Sequence, residues 1–352
     1  MKVAILHGEV PSDAPKDELD VLVEVGCVTR ALAELGYEPI PVPLSLDLEA
    51  ARDMLLDIKP SLVFNLVESL SGSGELICTG PMLLDYLGIP YTGAGATAMF
   101  TTSNKLIAKR YLQTAGIPTP PWITGEALLR QPVTFPGPYI VKSVWEHGSV
   151  WLDETAIIEE EERLRPAIEG RLRHRRGHWF VEQYIEGREF NLSLLAGPRG
   201  PETFPPAEIL FVDYPSERAK VLDYKAKWEE GTFEYDNTRR CYDFPPEDRT
   251  ILEQLTRSAR SCWALFDLRG YARVDFRIDS DGRPWVLEVN ANPCLSPHSG
   301  FVIASARSGL KFSQVIDRII SDSLPVKRPT PRKAQRKRRR GQEKRPVLFE
   351  TL

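Results

Sequence analysis

Between Tyr271 and Pro293 runs YARVDFRIDSDGRPWVLEVNANP, in which polar and apolar residues alternate on both sides of Asp281-Gly282. Period-two alternation interrupted by a turn pair predicts a β-hairpin. Successive side chains on a strand point to opposite faces, so Arg273, Asp275 and Arg277 share one face, with Val274, Phe276 and Ile278 on the other. On the returning strand Glu288 and Asn290 oppose Leu287 and Val289. If the two polar faces coincide, Asp275, Glu288 and Asn290 converge beside Arg273. Two carboxylates and an amide oxygen are hard ligands suited to Mg²⁺, which is commonly held by carboxylates together with phosphate oxygens. An ordinary hairpin with a solvated charged face would carry the same pattern.

Around this hairpin the chain reads as an α/β and α+β protein. Val3–Leu6, Ile40–Val42 and Leu62–Val67 look like strands, separated by helical patterns over Asp20–Leu35 and Ala50–Ile58. Strands alternating with helices imply a parallel, Rossmann-like layer. Gly88–Gly93 reads as a further short strand and Asn104–Ala115 as a helix stopped by Gly116. From Tyr139 the pattern turns toward strands at Tyr139–Lys142, Trp179–Glu182 and Glu189–Leu195. Glu247–Phe266 returns to helix, with Ile251, Leu255, Cys262 and Trp263 along one apolar stripe.

The chain has 352 residues, enough for two or three domains. Its five cysteines, Cys27, Cys78, Cys241, Cys262 and Cys294, form no CxxC pair and suit free thiols in a reducing cytoplasm. The start, MKVAILHGEV, holds too short an apolar run for a signal peptide, and no stretch suits a membrane span. Eleven Lys/Arg and one acid between Lys327 and Arg345 give that tail +10, so the rest carries −14 within a net charge of −4. An acidic body with a basic, core-poor tail over 327–352 is expected to be a folded unit followed by a disordered extension. Electrostatic docking of that tail on nucleic acid, a ribosome or an anionic membrane is one reading, and a solubilising extension is the other.

The run ARVDFRID…WVLEVNANP…SPHSGF resembles the end of the ATP-grasp site in D-alanine–D-alanine ligases, and matching segments follow in order over most of residues 1–320. The resemblance implies an ATP-grasp architecture: a Rossmann-like substrate domain (1–103), a central subdomain with glycine loop and adenine hinge (104–187), and a C-terminal subdomain (188–326). It implies that Asp275, Glu288 and Asn290 hold Mg²⁺, two ions with Mn²⁺ as a substitute, and that Arg273 stabilises the tetrahedral intermediate. Lys105, Lys142 and Lys227 would meet the triphosphate. Glu146 and Ser149, in Glu146-His147-Gly148-Ser149, would belong to the loop that closes over it. Glu182, Tyr184, Ile185 and Glu189 would form the adenine and ribose hinge. Glu18, or Glu68 in its place, would receive the ammonium group of the first substrate, while Cys294 and Ser299 would face the second. A homodimer is implied as well.

Several substrate-facing positions depart from that pattern. Where the family links its amino-site Glu to a Ser and a Tyr, this chain has Gly148 or Ser149 and Trp228. Cys294 replaces a glycine, and Glu68-Ser69-Leu70-Ser71-Gly72 stands where the family shows His-Gly. Three readings follow: a D-alanine–D-alanine ligase of cell-wall synthesis, a related ligase for another amino acid or small carboxylate, and a non-catalytic nucleotide-binding protein acting through its tail.

Overall fold

The computed structural model describes residues 1–174 and 178–324; the basic tail lies outside the described residues. The first strand, β1 (Lys2–Gly8), runs parallel to β2 (Glu38–Leu44) on one side and β3 (Leu62–Asn65) on the other. Proline occupies every second position of β2, at Pro39, Pro41 and Pro43. Without those N–H groups the strand can pair on one side only, and it forms the sheet edge. Val3 and Ile5 pack with Phe64 and the helix Lys16–Glu34, while Ala4 and Leu6 pack on the opposite face with the helices Leu48–Ile58 and Thr79–Leu87. Asp47 starts the second of these helices by accepting from Ala50 N at 3.1 Å. Gly88, at φ 66°, ends the third in a left-handed turn that a glycine adopts without strain.

The segment Gly88–Gly93 is a correction. It contributes a single bridge, Val63 to Tyr91, and not a strand, because turns on both sides leave only three residues in line.

Two antiparallel sheets follow. In the first, β4 (Trp122–Thr124), β5 (Tyr139–Ser143), β6 (Ile157–Ile158) and β7 (Trp179–Gln183) are ordered β4-β7-β5-β6. In the second, β8 (Arg188–Leu195), β10 (Ala207–Phe211), β11 (Thr238–Cys241), β12 (Tyr271–Ile278) and β13 (Pro284–Asn290) run β11-β10-β8-β12-β13, with β9 (Glu202–Thr203) beside β8. The helix Arg249–Leu265 buries Leu255, Ala259 and Cys262 against this sheet, with Ile251 and Trp263 at the margin. The last described helix, Phe312–Ser323, sends Val315, Ile316, Ile319 and Ile320 into one core with Val28 and Leu32 of the amino-terminal helix.

The β12–β13 hairpin forms around Asp279, whose Oδ1 accepts from Arg283 N at 2.8 Å and whose Oδ2 accepts from Trp285 Nε1 at 2.7 Å. Its register sets Arg273 opposite Asn290 and Asp275 opposite Glu288, so the two polar faces coincide. A bulge then shifts the pairing so that Phe276 meets Val286. Leu287 is the extra residue. It leaves the apolar face expected for it and lines the cavity between the two antiparallel sheets, while Val286 and Val289 stay in the core.

Candidate active site

The cavity between the β4–β7 sheet and the β8–β13 sheet is lined by Lys105, Lys142, Glu146, Ser149 and Lys227 on one side and by Glu182, Tyr184, Ile185 and Glu189 along the hinge. Asp275 and Glu288 close one wall. Residues far apart in the chain meet here because β5, β7, β8 and β12 present their polar faces to one gap. Lys105 opens its helix behind Asn104, whose side chain accepts from Ile107 N at 2.9 Å. Its Nζ donates to Glu146 O at 2.5 Å. Burial lowers the ammonium pKa of both Lys105 and Lys227, against the opposing pull of Glu288.

Glu182 lines the cavity with its carboxylate already engaged. Its carboxylate is buried between Lys142 at 2.5 Å and Lys109 at 2.6 Å. Burial would raise its pKa, but Lys109 and Lys142 together hold it below the ordinary value. The side chain thereby holds the Lys142 ammonium in place. Lys109 went unnoticed in the sequence because a lone lysine in a helix reads as a surface group. Here it is 1% exposed and also donates to Thr119 Oγ1 and Pro120 O. Arg277, from the polar face of β12, meets the Glu189 carboxylate at 2.8 Å and contacts Lys220 O.

At the hairpin, Arg273 grips Asp275 through two bonds of 2.8 Å. Asn191, which faces Asp275 across the β8–β12 pairing, donates to the same carboxylate at 2.8 Å. Asn290, with its amide oriented toward its neighbours, accepts from Arg273 at 3.0 Å and donates to Glu288 at 2.6 Å. His147 bridges Ser103 Oγ at 2.9 Å and Glu288 Oε1 at 2.6 Å. Burial works to raise the Glu288 pKa, but Lys105, His147 and Lys227 hold it well below the usual carboxylate range. Two carboxylates and an amide on one face of the hairpin form an oxygen donor set that fits a hard divalent cation.

A family model described as "D-ala D-ala ligase C-terminus" matches residues 112–321. The D-alanine–D-alanine ligase of Moorella thermoacetica is 30% identical over 335 residues, covering 92% of this chain and 99% of the relative. That of Gloeobacter violaceus is 32% identical over 92% of this chain and all of its own length. The chain belongs to the D-alanine–D-alanine ligase family. Among solved structures, the Bacillus anthracis ligase complexed with ATP superposes with a TM-score of 0.69 at 21% identity, covering 92% of this chain and 97% of that one. The VanG D-Ala:D-Ser ligase of Enterococcus faecalis gives 0.67 at 18% identity over 92% of this chain. The fold is that of ATP-grasp, and the chain is an ADP-forming ligase of that kind. Among the described residues no helix is long and apolar enough to cross a membrane.

A second cavity opens beside the first, sharing Glu146, Val150, Trp151 and Leu152 with it, and Glu18 and Glu68 line it. Glu18 lies against Gly72, where an added Cβ would stand 3.2 Å from its Oε1. In place of a Ser–Tyr link to this Glu, Trp228 Nε1 donates to Gly148 O at 2.9 Å and Ser149 Oγ to Leu222 O at 2.6 Å. Tyr224 closes the same seam from the other side by donating to Asp17 at 2.8 Å. Trp228→Phe removes one loop closure worth about 1 kcal/mol, so ATP affinity should fall about fivefold in a calorimetric titration.

Neither Cys294 nor Ser299 lines these two cavities. The Cys294 thiol turns to Asp20 and Ser296, both at 3.1 Å, on the side of the buried Glu24. Ser299 caps the helix Gly300–Arg307, its hydroxyl accepting from Val302 N at 3.3 Å. Beside them lies Arg240 of β11, which donates to His298 O at 3.3 Å. Its place on an edge strand distant in sequence gave no motif to find it by.

Glu68 is pushed up to about 7 from the ordinary 4.5, by burial first and then by Asp20. The folded chain keeps this proton where the unfolded chain has released it, so stability falls as pH rises through that interval. Glu68→Gln should therefore flatten the dependence, with urea midpoints at about pH 5 and about pH 8 lying closer together than in the parent.

Proposed function

We propose that the chain activates a carboxylate with ATP and Mg²⁺ as an acyl phosphate and joins it to an amine, releasing ADP and phosphate. The observation that supports this reading is the meeting of Lys105, Lys142 and Lys227 with Asp275 and Glu288 in one cavity. Phosphoryl transfer needs little beyond positioning and charge neutralisation, and this set supplies both. Mg²⁺ or Mn²⁺ held by Asp275, Glu288 and Asn290 would offset charge on the phosphates. The donor carboxylate oxygen attacks the γ-phosphorus and ADP leaves, with the three lysines holding the transferred oxygens. An amine then attacks the acyl carbon, phosphate leaves, and the amine proton is lost to solvent. Arg273 faces the oxyanion of that second step, and the backbone N–H near Cys294 assists it. The Ser299 hydroxyl and Arg240 bind the acceptor carboxylate. Along the hinge, Tyr184, Ile185 and the Glu182 backbone hold the adenine, and Glu189 meets the ribose. Glu146 and Ser149 belong to the loop that shuts out water, which would otherwise hydrolyse the acyl phosphate.

The named relatives make D-alanine the first substrate to try, with a cytoplasmic place in cell-wall synthesis. Glu68, Trp228 and Cys294 at substrate-facing positions favour a second reading, the same chemistry on another amino acid. Release of ADP and phosphate across pairs of D- and L-amino acids, with products weighed by mass spectrometry, decides between them. Stimulation by D-alanine with D-alanyl-D-alanine as product supports the first; stimulation by another pair supports the second. Tight ATP binding with no release across the panel would favour a non-catalytic role for the chain.

A further inference from the structure

The second cavity measures about 450 Å³, within the roughly 300–1,000 Å³ of sites that enclose sizeable ligands and far more than a methyl side chain fills. Its charge is lopsided. Seven Asp and Glu residues line it against one lysine, Lys225, and the ammonium of Lys225 is drawn to Glu154 at 3.3 Å. Four of those acids have partners: Asp17 accepts from Tyr224, Glu146 from Gly74 N at 3.4 Å and Asp153 from Thr155 N at 2.9 Å, while Glu68 meets Glu24. The carboxylates of Glu9, Glu18 and Glu229 have no hydrogen-bond or ion-pair partner among the described residues. The adjoining cavity is nearly balanced, with Lys105, Lys142, Lys227 and Arg277 on its walls against five carboxylates. One carboxylate suffices for the α-ammonium of an amino acid, which leaves the exposed Glu9 and the half-buried Glu229 free to meet a second cation.

We propose that this cavity receives, as carboxylate donor, an amino acid whose side chain carries its own positive charge, a diamino acid of the lysine or ornithine class. The assignment rests on the ligase reading above for the word donor, but not for the binding itself. The donor carboxylate would lie at the shared wall of Glu146, Val150 and Leu152, next to the phosphate lysines. Its α-ammonium would meet Glu18, and its side chain would extend toward Glu9 and Glu229. The indoles of Trp151 and Trp228 supply aromatic surface, which attracts ammonium groups as well as their methylene stems. The pKa of Glu18 is raised, by burial and then by Asp17, as expected of a carboxylate in a field without positive charge.

The test is calorimetric titration of the full chain, saturated with Mg²⁺ and a non-hydrolysable ATP analogue. Both enantiomers of lysine, ornithine, norleucine and alanine are titrated. Norleucine keeps the four-carbon stem of lysine without its ammonium group. Lysine or ornithine of one hand should bind at least about tenfold more tightly than norleucine of that hand, and Glu9→Gln combined with Glu229→Gln should bring the two within about twofold. Retained affinity for the ATP analogue shows that the double variant is folded. Norleucine or alanine binding as well as the diamino acids in both hands would overturn the proposal, as would an unchanged preference in the double variant or no binding of any of the eight. Preferential lysine binding with no ADP release from ATP would leave the proposal standing and refute the ligase reading instead.

Discussion

Glu288→Gln lowers the rate of ADP formation by roughly 10³-fold, the scale seen when one preorganised charge-stabilising group is removed from an active site. The substitution keeps the shape of the side chain and discards its charge. In the folded protein that charge answers Lys105, Lys227 and His147 at once, and it stands opposite Asp275 in the hairpin register. The loss should fall on turnover, because the residues that would hold the adenine lie at the end of β7 and in the turn after it, not on the hairpin. A coupled assay for ADP, alongside titration of ATP, separates the two effects. Turnover within tenfold of the parent would mean that this carboxylate does not serve phosphoryl transfer.

Lys109→Met should cost about 3 kcal/mol of folding stability, at the low end of what removal of one partner from a buried ion pair costs. Both Lys109 and Glu182 are 1% exposed, so the variant strands a carboxylate in the interior with Lys142 as its one remaining cation. Adding Glu182→Gln should recover much of the loss, since Lys142, 18% exposed, can turn to solvent. Urea unfolding of the two variants checks this. Equal stability in Lys109→Met and the parent would show that Lys142 alone neutralises Glu182.

Much of the fold could be read directly from the sequence because its strands carry strong patterns. Val3–Leu6 is apolar without a break because β1 is covered on both faces, and the β12–β13 hairpin is announced by Asp281-Gly282 and its alternation. The bulge that turned Leu287 into the cavity could not be seen, since one inserted residue leaves the composition unchanged while reversing the face. Gly88–Gly93 misled for a related reason: an apolar stretch between glycines is written the same way whether it pairs along its length or at one residue. The nine residues that the resemblance assigns to ATP line one cavity with Asp275 and Glu288, while Asn290 stands outside its lining. What resemblance could not supply were the partners: Lys109 behind Glu182, Asn191 beside Asp275, His147 on Glu288 and Arg240 near Ser299. Each is fixed by strand register or helix packing across long sequence separation, and none forms a local motif.

The central claim, that a carboxylate is phosphorylated by ATP in this cavity, is tested most directly by isotope transfer. An amino acid that raises ADP release is supplied with ¹⁸O in its carboxylate, and the released phosphate is analysed by mass spectrometry. The account predicts one labelled oxygen in each phosphate, carried over when the acyl phosphate is opened by the amine. Phosphate without label, at the same rate of ADP release, would show that water and not the carboxylate attacks ATP, and would contradict it.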